Sequence, residues 1–82
     1  MAHVTVVLRG GSRDGESTVL DEAVTRLVAV SQAPGLLDVY EASDELEDVA
    51  GNPDPARVFS FTGQEPADGW APEAIHMQAP GQ

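Results

Sequence analysis

Eighty-two residues with no cysteine and only two histidines, His3 and His76, read as one small domain without disulfides, thiolate metal centres or a cysteine nucleophile. Fourteen Asp and Glu face four Arg and no Lys, a formal net charge of −10, so phosphate backbones and anionic membrane surfaces repel the chain. A domain this small buries only roughly 60% of its unfolded surface, and with disulfides and metals excluded a protein partner is the remaining source of added stability.

The first segment, His3-Val4-Thr5-Val6-Val7-Leu8-Arg9, alternates with period two and is rich in β-branched residues, which predicts a half-buried strand with Val4, Val6 and Leu8 on one side. Gly10-Gly11-Ser12-Arg13-Asp14-Gly15 follows. Glycine supplies positive φ and Asp bonds its own backbone, so the chain is expected to turn into a hairpin there.

Residues 17–32 fit two patterns. Val19, Leu20, Ala23, Val24, Leu27 and Val28 form one helical stripe, with Glu22 and Arg26 at i, i+4 and Pro34-Gly35 as the stop. The same residues also read as a strand over 17–20, a turn at Asp21-Glu22, and a further strand over 25–30. Leu36-Leu37-Asp38-Val39-Tyr40-Glu41 reads as a strand. Residues 43–51 predict a short acidic helix or loop, with Asp44 capping Glu47 and Gly51 ending the turn. Arg57-Val58-Phe59-Ser60-Phe61-Thr62 predicts the last strand.

From residue 64 on, Gly, Pro, Ala, Gln and acids prevail, and Pro66, Pro72 and Pro80 interrupt regular structure. The expected organisation is a β-rich domain over residues 1–63 and an extended or partner-docked tail over 64–82. Trp70, Ile75 and Met77 are the isolated large apolar residues of this tail. Trp70 either folds back on its own sheet or anchors the tail in a neighbour's pocket, a role tryptophan suits because it buries much area at little entropic cost.

Candidates for chemistry are few. The glycine-rich turn lacks the Lys-Ser/Thr of a phosphate loop and carries Glu16 where phosphate would sit. The seven carboxylates between Asp38 and Asp54 do not follow the spacing of a calcium loop. A pair such as Glu41 and Asp48 could serve as glycosidase acid and base, but a chain this short has little room for a sugar cleft. The block reads instead as a solvated face, or as a surface that imitates DNA phosphates for a basic groove. His3 and His76 read as surface residues, and Arg9, Arg13 and Arg26 as solvent-facing partners for carboxylates.

The strand running into Gly10-Gly11-x-x-Asp14-Gly15, the β segment Arg26-Leu27-Val28-Ala29-Val30, the tyrosine strand Val39-Tyr40-Glu41 and the aromatic strand Val58-Phe59-Ser60-Phe61 together resemble a group of short actinobacterial and actinobacteriophage proteins. The likeness covers about residues 4–64 and departs at Ser12, where many members carry Pro. The residue usage agrees: abundant Ala, Val, Gly, Asp, Glu and Pro, Arg without Lys, and one Ile and one Asn are the usage of a G- and C-rich genome. The group has no established activity, so the resemblance implies a compact β fold and a phage origin and transfers no catalytic residue.

The expectation is a mainly β fold: a small twisted antiparallel sheet or open barrel of about five strands, a short acidic helix or loop, and an extended Pro-rich tail. No enzyme activity, metal or cofactor is expected. Function is expected to come from protein partners, virion proteins or further copies of the chain, without nucleic acid or membrane. Trp70, Ile75 and Met77 with Asp44, Glu45, Glu47 and Asp48 are the candidate partner-binding residues. The setting is a virion, as a capsid-decorating or head–tail subunit, or the cytoplasm of the bacterial host, as an acidic inhibitor.

Overall fold

A computed structural model describes residues 2–77. Five strands, β1 (His3–Arg9), β2 (Ser17–Asp21), β3 (Arg26–Val30), β4 (Leu36–Glu47) and β5 (Ala56–Pro66), form one mainly β fold, with short 3-10 turns at Gly11–Arg13 and Pro72–Ala74. Their order in the sheet is β2-β1-β5-β4-β3. Hairpins β1–β2 and β3–β4 are antiparallel, as is β4–β5.

The sheet is mixed rather than purely antiparallel. The last strand inserts between the first and the fourth, and lying antiparallel to β4 it runs parallel to β1, with Val7 beside Val58 and Leu8 beside Phe59. The sheet must also curl. Laid flat, its two edges would stand roughly 19 Å apart across four strand spacings. Yet β2 and β3, at opposite edges, are joined by residues 22–25 alone, a link that reaches about 17 Å when fully extended. Curling brings the edges together, and Leu20 of β2 shares one buried cluster with Leu27 and Ala29 of β3.

That cluster fills the concave face: Val6, Leu8, Leu20, Leu27, Ala29, Tyr40 and Phe59, with Phe61 and Met77 against it. The alternation Val4, Val6, Leu8 read in the first segment is thus the inward side of β1. A smaller cluster of Val7, Ala56 and Val58, covered by Val49, lies on the other face.

Residues 17–32 are two strands and a turn. Asp21 makes the turn, its carboxylate accepting the Ala23 N–H at 2.9 Å and its carbonyl the Val24 N–H at 3.0 Å.

Of the acidic helix or loop expected over residues 43–51, the first part is strand, because β4 continues to Glu47, and a loop follows. After Ala42 pairs with Phe59, the next matched pair is Leu46 with Arg57, so Ser43, Asp44 and Glu45 bulge opposite Val58. The Ser43 hydroxyl stitches the bulge shut: it donates to the Val58 carbonyl at 2.8 Å and accepts the Glu45 N–H at 3.2 Å. An isolated helix of two turns is marginal in water, and cross-strand pairing prevails over its caps.

Strand β5 runs to Pro66, longer than the strand expected over Arg57 to Thr62. The following segment is not simply extended. It turns at residues 67–70, forms the turn at Pro72–Ala74, and reaches the outer edge of β3 at His76 and Met77.

Candidate functional site

The glycine turn does not simply face solvent; it is folded over the end of the concave face. Gly10 and Gly11 adopt φ of 90° and 68°, and Gly11 lies so close to Phe61 and the Tyr40 hydroxyl that a Cβ there would meet them at 2.6 and 2.7 Å. Only glycine fits both constraints. The Tyr40 hydroxyl donates to the Gly10 carbonyl at 2.8 Å and accepts the Arg13 N–H at 3.2 Å. Burial raises the Tyr40 pKa above its ordinary value.

Beneath this turn lies Asp38, fully buried. Its carboxylate accepts the Ser12 hydroxyl and the Ser12 N–H at 3.1 Å on one oxygen, and the Gln64 amide at 3.0 Å on the other. Burial alone would push its pKa up, but hydrogen bonds from Ser12, Gln64 and Ser31 outweigh it and hold the carboxyl below the usual range. A charge kept inside by that many donors fastens the turn to β4.

Two sequence expectations change here. Asp38 belongs to the core and not to a solvated acidic face; its alternation with Tyr40 in the strand was the signal that it points inward. Arg13, expected at the surface, is buried: its Nε donates to the Val30 carbonyl at 2.8 Å and its guanidinium pairs with Glu16 at 3.0 Å. Arg9 and Arg26 are exposed partners of carboxylates as expected, with Glu47 and Glu65.

The candidate partner-binding residues fall on two separate surfaces. Asp44 and Glu45 project from the bulge and Asp48 follows it, all exposed. Glu47 is half-buried and engaged by the Arg9 guanidinium. The bulge opens beyond Glu41, past the start of β3, whereas Met77 lies against the later half of β3, opposite the start of β4.

Trp70, Ile75 and Met77 are each half-buried against their own chain. Met77 packs on the concave core and bridges to Ala29 in parallel. The outer edge of β3 is closed by this segment: the Val28 carbonyl accepts the His76 N–H at 2.7 Å, and the Val30 N–H donates to the Met77 carbonyl at 2.9 Å. The Val28 N–H donates to His76 Nδ1 at 3.0 Å. His76, with no role assigned from sequence, therefore caps an edge strand with its ring. No local pattern announces that, because its partner is 48 residues away.

The opposite edge differs. Strand β2 is short and continuous in register, and Val19 on it is 59% exposed. Among the described residues no pocket opens, and no group of three acids or histidines is placed to hold a metal ion. No helix among these residues is long and apolar enough to cross a membrane. No protein-family model, curated protein or solved structure matches the chain.

Proposed function

We propose that this protein is a non-enzymatic contact module, an accessory subunit of a phage virion such as a capsid-decorating or head–tail protein, acting through strand edges and its C-terminal segment. The observation that carries this reading is the way β3 takes the chain's own tail. Three main-chain bonds, one ring nitrogen and one apolar side chain seat His76 and Met77 on the sheet edge. A fold that closes an edge strand in this way within itself is suited to doing so between subunits. The buried polar residues Asp38 and Arg13 are engaged in bracing the glycine turn. The virion setting comes from the resemblance to actinobacteriophage proteins.

The test is affinity capture of the tagged chain from infected and uninfected actinobacterial lysates at low and moderate salt. Capsid or tail proteins retained as salt rises support the reading. A stable monomer that retains none of them overturns it.

A second reading, an acidic inhibitor of a host enzyme, is favoured by the bulge that extrudes Asp44 and Glu45. Such an association weakens with salt. Replacing Asp44, Glu45 and Asp48 by their amides would abolish inhibition and leave virion incorporation intact. Glu47 is left out of that set because it is held by Arg9.

A further inference from the structure

The hydrogen-bond parity of β2 decides which of its groups are free. The Leu8 N–H donates to the Glu16 carbonyl at 2.8 Å, and the Glu22 N–H to the Ala2 carbonyl at 3.1 Å. These pairs frame the register that sets Thr18 against Val6 and Leu20 against Val4. Even-numbered residues of β2 therefore turn their backbone groups toward β1, and Ser17, Val19 and Asp21 turn theirs outward. Of the outward groups the Asp21 carbonyl alone has a main-chain partner among the described residues, the Val24 N–H. Both groups of Ser17, both of Val19 and the N–H of Asp21 have none there. The strand carries no Pro, Lys or bulge, the usual guards of an edge.

Charge indicates what fits. Asp14 and Glu16 precede β2, and Asp21 and Glu22 end it. The nearby guanidiniums are already engaged, Arg9 by Glu47 and Asp14 and Arg13 by Glu16. Asp21 and Glu22 have no ion pair among the described residues. A second copy would bring the same acids and a further −10 to the contact.

We propose that the β2 edge docks an extended basic segment of a protein partner, added antiparallel with a β-branched residue against Val19 and Arg or Lys two residues to either side. The main chain supplies the bonds, Val19 gains an apolar cover, and the flanking cations meet Asp21 and the acids beside Ser17. This narrows the contact-module reading to one edge and rests on it.

The probe is the peptide acetyl-Arg-Thr-Val-Thr-Arg-amide, titrated into the full 15N-labelled chain and followed by amide chemical shifts. Shifts concentrated on residues 16–22 that shrink as salt rises are expected. The same peptide with an N-methylated valine keeps its charge but loses main-chain bonding, and is expected to bind about tenfold more weakly. Val19→Pro in the protein removes an outward N–H that the sheet does not use, and is expected to keep the fold and lose the peptide. Equal binding of the methylated peptide, shifts centred on residues 44–48, or peptide-free dimerisation blocked by Val19→Pro would each overturn the proposal. If the Val19→Pro chain still captures virion proteins, the proposal fails while the contact-module reading stands. If the unaltered chain captures none, that reading fails by itself.

Discussion

The two edges of this sheet are handled in opposite ways. On β3 every outward group from Val28 onward is paired: Val28 N–H with the His76 ring, the Val28 carbonyl with the His76 N–H, Val30 N–H with the Met77 carbonyl, and the Val30 carbonyl with Arg13. On β2 the outward groups of Ser17 and Val19 pair with nothing among the described residues. Composition explains the difference. Strand β3 is Arg26 followed by four apolar residues, whereas β2 alternates Ser, Thr, Val, Leu and Asp between acidic flanks. Bare edge and apolar face together are a hazard for aggregation, so β3 is covered. The β2 edge can stand in water because the acids beside it repel another copy.

The largest test of that contrast is a proline placed one residue apart on the same strand. Thr18→Pro removes an inward N–H from the β1 ladder and is expected to cost about 2–3 kcal/mol in urea denaturation; Val19→Pro should leave the midpoint nearly unchanged. A similar cost for both would mean that the parity assigned to β2 is wrong.

Asp38→Ala comes next, at about 2–3 kcal/mol, because it strands the Ser12 N–H and the Gln64 amide. By loosening the turn that carries Arg13 to Val30, it should also speed exchange at the β3 edge and spare β2. The native protein carries the matching pH dependence. With the folded Asp38 pKa depressed, its contribution is complete above the ordinary carboxyl value of about 3.9 and is lost as pH falls through the lower folded value. Acid titration of the unfolding midpoint should show that loss in the native chain and lack it in Asp38→Ala.

Gly11→Ala is expected to cost about 1–2 kcal/mol from the left-handed backbone alone, with the approach to Phe61 adding to it. The smallest effect belongs to His76→Ala, about 1 kcal/mol. Its decisive readout is local, with faster exchange at Val28 and Val30 and no change at β2. Unaltered protection of Val28 would remove the histidine ring from the account of the covered edge.

What the residues disclosed in advance followed the range of the forces. Strands with one clean period, such as His3 to Arg9 and the segment around Tyr40, were legible because alternation is local. The stretch from Val19 to Val28 was not, since its apolar spacing satisfies periods of 2 and 3.6 together, and pairing with β1 and β4 decides. Asp44 and Glu47 have the chemistry of a helix start, and what converts them to a bulged strand is distant: the Val58 carbonyl and the Arg9 guanidinium. The parallel pairing of β1 with β5 likewise leaves no mark in either segment. Of the candidate site, the extruded acids were visible as a block and the tail as a segment able to fold back. The role of His76 and the free parity of β2 required the register.

The position of β5 also bears on how the protein is made. It holds the middle of the sheet, between β1 and β4, although of the five described strands it is the last to leave the ribosome. Until residues 56–66 emerge, the earlier strands exist as two hairpins with no neighbour in common, and an isolated hairpin is at best marginal in water. The sheet therefore cannot assemble until those residues are out. A message cut short before that point would yield two unsupported hairpins and not a smaller version of the fold.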